Sequence, residues 1–472
     1  MGEPLSSHPQ EHDAFLASSR KHILMLTIHG IHQWDIVPGL PDTGGQNVFV
    51  NQFSRALADQ GFKITIANRG GYPHPITGKN RTGLVYKDQN QRILYLEDGF
   101  DQFVRKEDMA ARIPDLVKSL TETLDIRLAP LDRIISHYWD AGRVGQMYNQ
   151  NLASPVKHTW IPHSLGSIKK ANVSPQQWAD LNIDQRIEVE TDLTHVVDGI
   201  GSTSSRIDTA LREDYGYAGR TYWLPPCVDP DRFHPRQISE HDQVWELLSQ
   251  HTGLSPAQVR DYQIIAEISR TDTTKRKNVL IEAFALVHRR FPKTLLVISI
   301  DENQAELAHQ LEELIRARKV DSHTAAVGSI WNLLPSLYAI AHIYCTPSIM
   351  EGFGMSAQEA AATGVPIVAS ENVPFATEYL LGESHRQVPI PGESGRHVTL
   401  GEGALVVPAD DVAGFAHALE LLLSDEPLRK KMGDQAYHIT VPTFTWESVV
   451  SQFLEAIDGH RDAGYRNALT TE

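Results

Sequence analysis

The chain has 472 residues, 41% of them hydrophobic and 22% charged, with a net charge of −16 and only two cysteines. That length and composition suit two or three globular domains with their own cores, and no apolar run approaches the roughly 20 residues that span a bilayer. The acidic balance excludes general binding to nucleic-acid backbones but not to anionic small molecules held by local positive charge, while Cys227 and Cys345 supply neither a disulfide framework nor a zinc set and predict a reducing, cytoplasmic setting.

The start, MGEPLSSHPQEHDAF, has no apolar core that would act as a secretion signal, and residues 1–20 are expected to be a flexible leader. KHILMLTIHG (21–30) reads as a buried strand followed by a loop rich in Gly, Pro and His. DTGGQNVFVNQFSRALADQGFKITIANRGG then supplies glycines, an amphipathic helix with Val50, Phe53 and Leu57 at helical spacing, a Gly61 cap and a second strand. This strand, loop, helix, strand unit builds parallel sheets. The pattern returns in DRIISHYWDAG, VKHTWIPHSLG and VVDGIGSTSS, each ending a strand in small or polar residues, where open α/β sheets place ligands.

The four prolines of WLPPCVDPDRFHPR (223–236) mark a linker. YQIIAEISR opens a second series, in which TLLVISID, HTAAVGS, AHIYCTPS, VPIVAS and ALVVPAD alternate with helical stretches. The predicted fold is α/β, with two doubly wound Rossmann-like domains facing each other across a cleft. The first would span 21–232 and the second 233–442. FTWESVVSQFLEAIDGHRD, within 443–472, is expected to be an amphipathic helix packing back, with the first domain as one possible surface.

Gly44 and Gly45 precede a helix, where unpaired amides and the helix dipole favour anions; a plain tight turn is the alternative. SRTDTTKRKN (269–278) sets Arg270, Lys275, Arg276 and Lys277 after a strand, as a polyanion site would require or as an exposed loop would allow. RKED (105–108), Lys169–Lys170 and Arg186 form a second basic set, with surface salt bridges as the alternative. Asp229 and Asp231 have the D-x-D spacing of metal-dependent sugar transferases, but inside the proline linker they read as turn chemistry. No metal site is expected. His163, ending a strand, is either a hydrogen-bonding group at a reacting centre or a structural histidine.

IYCTPSIMEGFGMSAQEAAATGVPIVASE (343–371) admits three readings. GFGMSA with Glu371 resembles a dinucleotide fingerprint and would make the chain an NAD-dependent oxidoreductase. Ser356 and Glu359 also form S-x-x-E, a capping box that would start a helix ending at Gly364. A third reading gives Glu351 and Glu359 to a sugar nucleotide. It avoids placing an uncompensated Glu351 beside a pyrophosphate, and a carboxylate accepts hydrogen bonds from hydroxyls.

Glu351 and Glu359, with seven residues between them, resemble the E-x7-E signature of family 4 retaining glycosyltransferases, which adopt the GT-B fold. GGQNVFV, PHSLGSIKK, SR…KRKN, PP-x-VD-x-x-F and ALVVPADD follow in that family's order, so the resemblance covers nearly the whole chain after residue 20. DTGGQ, HYWDAG and HSLG together are most similar to its sucrose-phosphate synthase branch.

The resemblance implies a nucleotide-sugar substrate in the second domain and no further cofactor. Arg270 and Lys277 would hold the diphosphate, Glu359 the ribose, and Glu351 with Gly352, Phe353, Gly354 and Met355 the donor sugar. Val327, Gly328 and Leu333 would border the base. In the first domain, Gly45 would face both sugars, Gln46 and Tyr138 the acceptor, and His163 the reacting carbon. Lys106, Lys169 and Arg186 would bind an acceptor phosphate. The implied reaction joins glucose from a nucleoside diphosphate, UDP-glucose foremost, to fructose 6-phosphate with retention. A separate sucrose-phosphate phosphatase is the implied functional link, and mannosylfructose-phosphate synthase and sucrose synthase are the neighbouring activities. Same-face attack, in which the leaving diphosphate takes the acceptor proton, is the family's mechanism. Cys227 departs from a usual glycine, NVPFATE (372–378) from a glycine-rich segment, and RTDTTKRKN carries an extra residue.

Overall fold

The computed structural model describes residues 9–37, 40–124, 126, 128–301, 304–328 and 330–459. The chain divides into two compact units. One comprises the described residues up to Pro225 together with the segment from Trp446, and the other is Pro226–Thr445. The division therefore falls inside the proline segment, a few residues before the boundary expected at 232, and the chain returns at 445/446. Residues 1–8 of the expected leader lie outside the described residues, and Pro9–Ala17 within it is a helix.

The first unit is built on eight strands. They are β1 (His22–Leu26), β2 (Lys63–Arg69), β3 (Gly83–Asp88), β4 (Gln91–Leu96), β5 (Arg133–His137), β6 (Lys157–Ile161), β7 (Gly199–Ser202) and β8 (Thr221–Trp223), in the spatial order β3-β4-β2-β1-β5-β6-β7-β8. All pairs are parallel except β3 with β4. The central strand β1 is HILML, buried along its whole length, because helices cover both faces of a parallel sheet. Helix Gly45–Asp59 turns Phe49, Val50, Phe53 and Leu57 inward. It stops at Gly61, whose φ of 93° lets the Phe62 amide reach back to the Leu57 carbonyl at 3.1 Å. Helix Trp446–Ile457 packs in this same unit, with Phe453 against Phe53 and Tyr222.

The second unit repeats the plan with β9 (Gln263–Glu267), β10 (Thr294–Ser299), β11 (Thr324–Val327), β12 (Ile343–Thr346), β13 (Ile367–Ser370), β14 (Arg386–Pro389), β15 (His397–Leu400) and β16 (Ala404–Val407). Their order is β11-β10-β9-β12-β13-β16-β15-β14, with an antiparallel edge formed by β14, β15 and β16. In each unit the first strand has its second strand on one side and a later one on the other. The order reverses there, and doubly wound sheets bind ligands beyond the carboxyl ends of those two strands. The relevant ends are those of β1 and β5 in the first unit, and β9 and β12 in the second. Among the described residues no helix is long and apolar enough to cross a membrane.

Candidate active site

At the β9–β12 reversal, the charge-rich loop divides its lysines between two tasks. Glu267, the last residue of β9, is ion-paired with the Nζ of Lys277, and both side chains are buried. Lys277 Nζ also donates to Ser269 Oγ at 3.1 Å and Ser299 Oγ at 3.0 Å, so its three hydrogens are committed inside the unit. Burial lowers its pKa, against the pull of the Glu267 carboxylate. Arg276, at φ 50°, reverses the chain between a short turn, Thr273–Lys275, and helix Lys277–Arg290. Lys275 therefore points elsewhere, and its Nζ lies 2.5 Å from Glu351 Oε1. Arg270 is 87% exposed, with Asp272 at 3.8 Å.

The glycine loop after β12 is shaped by one backbone requirement. Gly354 has φ 110°, and a Cβ there would sit 2.7 Å from Val373 Cγ1, so only glycine fits. Gly354 itself caps helix Met355–Ala362, which corrects the expected capping box. Ser356 lies within the first turn and its hydroxyl accepts from Tyr344 at 2.8 Å, leaving Glu359 free of a capping role. The helix does end before Gly364, at φ 77°. Phe353 is buried against Phe375, Tyr379 and Phe444, so its side chain serves the core and only its backbone faces the loop. Gly352 is exposed, and Met355 opens the first turn, whose free amides make the helix N-terminus attractive to anions.

The Glu359 carboxylate accepts no side-chain or backbone hydrogen bond among the described residues. Burial pushes its carboxyl up to about 7, against the pull of Arg232. Val327 ends β11 and Gly328 follows with no atom near its Cβ direction, while Leu333 caps helix Leu334–Ile340. Glu371 accepts from the Ala409 amide at 3.2 Å. Asp229 Oδ1 accepts from the Asp231 amide at 3.0 Å, the turn that the D-x-D spacing suggested. No group of three or more metal-ligating side chains occurs among the described residues.

At the β1–β5 reversal, a second set converges on Tyr138. His29, just beyond β1, presents its Nδ1 to both Asp140 oxygens at 3.1 Å, and Asp140 also accepts the His29 amide. The His29 ring stands edge-on to Tyr138 at 4.7 Å. Arg186 lies over the Tyr138 ring at 4.3 Å, donates to the Tyr138 hydroxyl and to Ser164, and pairs with Glu190 at 2.7 Å. Lys106 is ion-paired with Asp42, and Lys169 with Glu107 at 3.5 Å. Burial lowers the pKa of Lys169, and the charges of Arg186 and Lys106 add to that effect. The three predicted cations are therefore neighbours, although they come from three separate segments.

His163 Nε2 is 2.9 Å from His137 Nδ1, and its ring sits edge-on to Phe49 at 4.9 Å. Burial lowers the His163 pKa to about 3, so the ring is neutral. Gly45 is the first residue of its helix and Gln46 reaches Thr27 Oγ1 at 3.3 Å. Asp42, Tyr138, His163 and Asn182 all have φ between 46° and 78°. Such strain in non-glycine residues concentrates at functional sites. His29, Asp140, Asp42, Glu107 and Glu267 were not singled out from sequence as working groups, and Lys275 was named only as one of the cations of its loop. Only HYWDAG hinted at Asp140.

The relatives fit this geometry. Residues 255–439 match the family described as "Glycosyl transferases group 1". The chain is 26% identical over 451 residues to mannosylfructose-phosphate synthase of Agrobacterium fabrum, covering 93% of this chain and 91% of that one. Among solved structures it resembles sucrose-phosphate synthase from Thermosynechococcus elongatus, with TM-score 0.72, 23% identity, and 93% and 98% coverage. It also resembles HepE from Anabaena in complex with UDP-glucose, with TM-score 0.61, 14% identity, and 93% and 99% coverage. Residues 255–439 thus form a glycosyl transferase group 1 domain, and the chain is a glycosyltransferase of GT-B architecture with two Rossmann-like domains.

Proposed function

We propose that the protein transfers a hexosyl group, with retention, from a nucleoside-diphosphate sugar to a phosphorylated sugar, with UDP-glucose and fructose 6-phosphate as the first pair and sucrose 6-phosphate as product. The observation that carries the acceptor class is the gathering of Lys106, Lys169 and Arg186 around Tyr138. A phosphate dianion needs concentrated positive charge, whereas a free sugar does not. Two of the similar proteins bear names of sugar-phosphate products, and a third was solved with UDP-glucose.

In this reading Glu359 binds the ribose hydroxyls, and the loop from Glu351 to Met355 binds the donor sugar. Val327, Gly328 and Leu333 border the base. Arg270 and the free amides of helix Met355–Ala362 face the diphosphate, whereas Lys277, expected beside Arg270 there, has its ammonium taken up by Glu267, Ser269 and Ser299 and steadies the end of β9 instead. Gly45 and Gln46 contact sugar hydroxyls. The same-face route suits these groups: the bond from the anomeric carbon to the diphosphate breaks, the acceptor oxygen bonds on that face, and the diphosphate accepts the hydroxyl proton. Neutral His163 orients a sugar without competing for the proton. Positioning and fixed positive charge supply most of the acceleration. A separate phosphatase would consume the product ester. Initial rates with UDP-, ADP- and GDP-glucose against fructose 6-phosphate, mannose 6-phosphate and free fructose test the assignment.

Of the two grounds expected to disfavour the oxidoreductase reading, the charge of Glu351 and the position of the loop in the strand order, only the second keeps its force. Lys275 compensates Glu351, so repulsion of a pyrophosphate no longer separates the two readings. Glu371, however, is taken up by a backbone amide, and the glycine loop follows the fourth strand of its unit rather than the first.

A further inference from the structure

The cations around Tyr138 are matched by carboxylates, but unequally. Lys106 has Asp42 to itself, with Asp42 also accepting the Lys106 backbone amide at 2.9 Å. Arg186 has Glu190, in a buried pair that three further hydrogen bonds fix in place. Lys169 has only Glu107, and it shares that group. A single oxygen, Glu107 Oε1, lies 3.4 Å from Lys106 Nζ and 3.5 Å from Lys169 Nζ. The Glu107 side chain is 10% exposed, and its backbone carbonyl is anchored by Asn182 Nδ2 at 2.9 Å. The carboxylate therefore stands between two ammonium groups and holds both loosely, since 3.4 and 3.5 Å exceed the roughly 2.7–2.9 Å of a tight charge-assisted hydrogen bond.

We propose that Glu107 is an internal competitor for the acceptor's anionic group, setting how much negative charge an acceptor must bring in order to bind. A neutral sugar gains nothing by displacing Glu107 from the lysines. A phosphate dianion offers two charges and three oxygens in exchange for one carboxylate. Lys106 keeps Asp42 throughout, so the exchange turns chiefly on Lys169. Glu107 thereby acts as a specificity residue rather than as a further phosphate ligand. This inference rests on the proposed acceptor site, and binding of inorganic phosphate separates the failure of one from the failure of the other.

The test is a thermal-shift titration of the full chain with inorganic phosphate at pH 7.5 and constant ionic strength, comparing wild type, Glu107→Gln, Glu107→Asp and Lys169→Ala. Removing one carboxylate from a partly desolvated lysine pair is expected to tighten phosphate binding about fivefold or more in Glu107→Gln. Glu107→Asp, whose carboxylate is withdrawn by one methylene, should fall between the two, and Lys169→Ala should weaken binding. Glu107→Gln should also narrow the ratio of KM values for free and phosphorylated acceptor. An unchanged or weaker phosphate affinity in Glu107→Gln, with wild type binding normally, overturns the competitor role and leaves the acceptor site standing. Absence of any phosphate effect in wild type and variants overturns both.

Discussion

Lys275 Nζ lies 2.5 Å from Glu351 Oε1, whereas Lys277, two residues on, is held by Glu267 at the buried end of β9. The reversal at Arg276 separates the two lysines, so one meets the glycine loop at Glu351 and the other is tied to the end of β9. Lys275→Gln should therefore fold normally and lower kcat/KM by about tenfold or more, as loss of a charge-assisted contact would. Lys277→Met should instead leave Glu267 buried and unpaired, lowering stability by roughly 3 kcal/mol. Urea unfolding alongside initial rates distinguishes them, and normal stability in Lys277→Met would contradict the division of labour.

Arg186 predicts a similar split in the first unit. Its charge is tied to Glu190, and its hydrogens to Tyr138 and Ser164. Arg186→Met should cost about 3 kcal/mol or more of stability by stranding Glu190. Lys169→Ala should leave stability nearly unchanged and raise the KM for a phosphorylated acceptor, with little change in donor KM. Equal use of fructose and fructose 6-phosphate by wild type would contradict the acceptor assignment.

The strands were largely legible in the sequence, because a buried parallel sheet forces apolar runs such as HILML and TLLVIS, and the helix stop at Gly61 follows from its lack of a Cβ, which admits the positive φ. Less legible were the antiparallel edge strands β3, β14 and β15, which are half-exposed and carry no continuous apolar signal. The Ser356 capping box failed because Gly354, at φ 110°, begins the helix and Tyr344 claims the serine. Partners such as His29 with Asp140, 111 residues apart, or Glu107 with Lys169 depend on where loops land after the sheet is assembled, and no local spacing encodes that.

His163 is a test of position rather than of proton transfer. With a pKa of about 3 it stays neutral across the working range and should add no inflection to the kcat profile near its ordinary value of 6.5. At φ 56° asparagine is better tolerated than alanine, so His163→Asn preserves the backbone. We expect kcat to fall about tenfold or more with donor KM little changed, by loss of a positioned contact. An unchanged kcat would make His163 a structural residue.

Stability should fall on mild acidification. Burial lowers His22, His32 and His163 to about 3, and His158 and His342 to about 4. The unfolded chain takes up those protons first, so their contribution is present above about 6.5 and is lost as pH falls toward 3 to 4. Glu359 has the opposite sign. Its folded pKa of about 7 exceeds the ordinary 4.5, so its ionisation destabilises the fold as pH rises between those values. Five histidines outweigh one carboxyl, and the unfolding free energy from urea titrations should drop by at least about 2 kcal/mol between pH 6.5 and 5.5, with a matching fall in the midpoint. Glu359→Gln should be more stable than wild type above pH 7 while binding donor more weakly. Flat midpoints down to pH 5 would contradict the buried neutral histidines.

Incubating the purified protein with UDP-glucose and fructose 6-phosphate, and following UDP release together with the sugar product, tests the central claim most directly. The account predicts UDP and a non-reducing disaccharide phosphate in equal amounts, with the glucosyl configuration retained and little product from free fructose. No transfer to any phosphorylated sugar from any nucleoside-diphosphate glucose would contradict it.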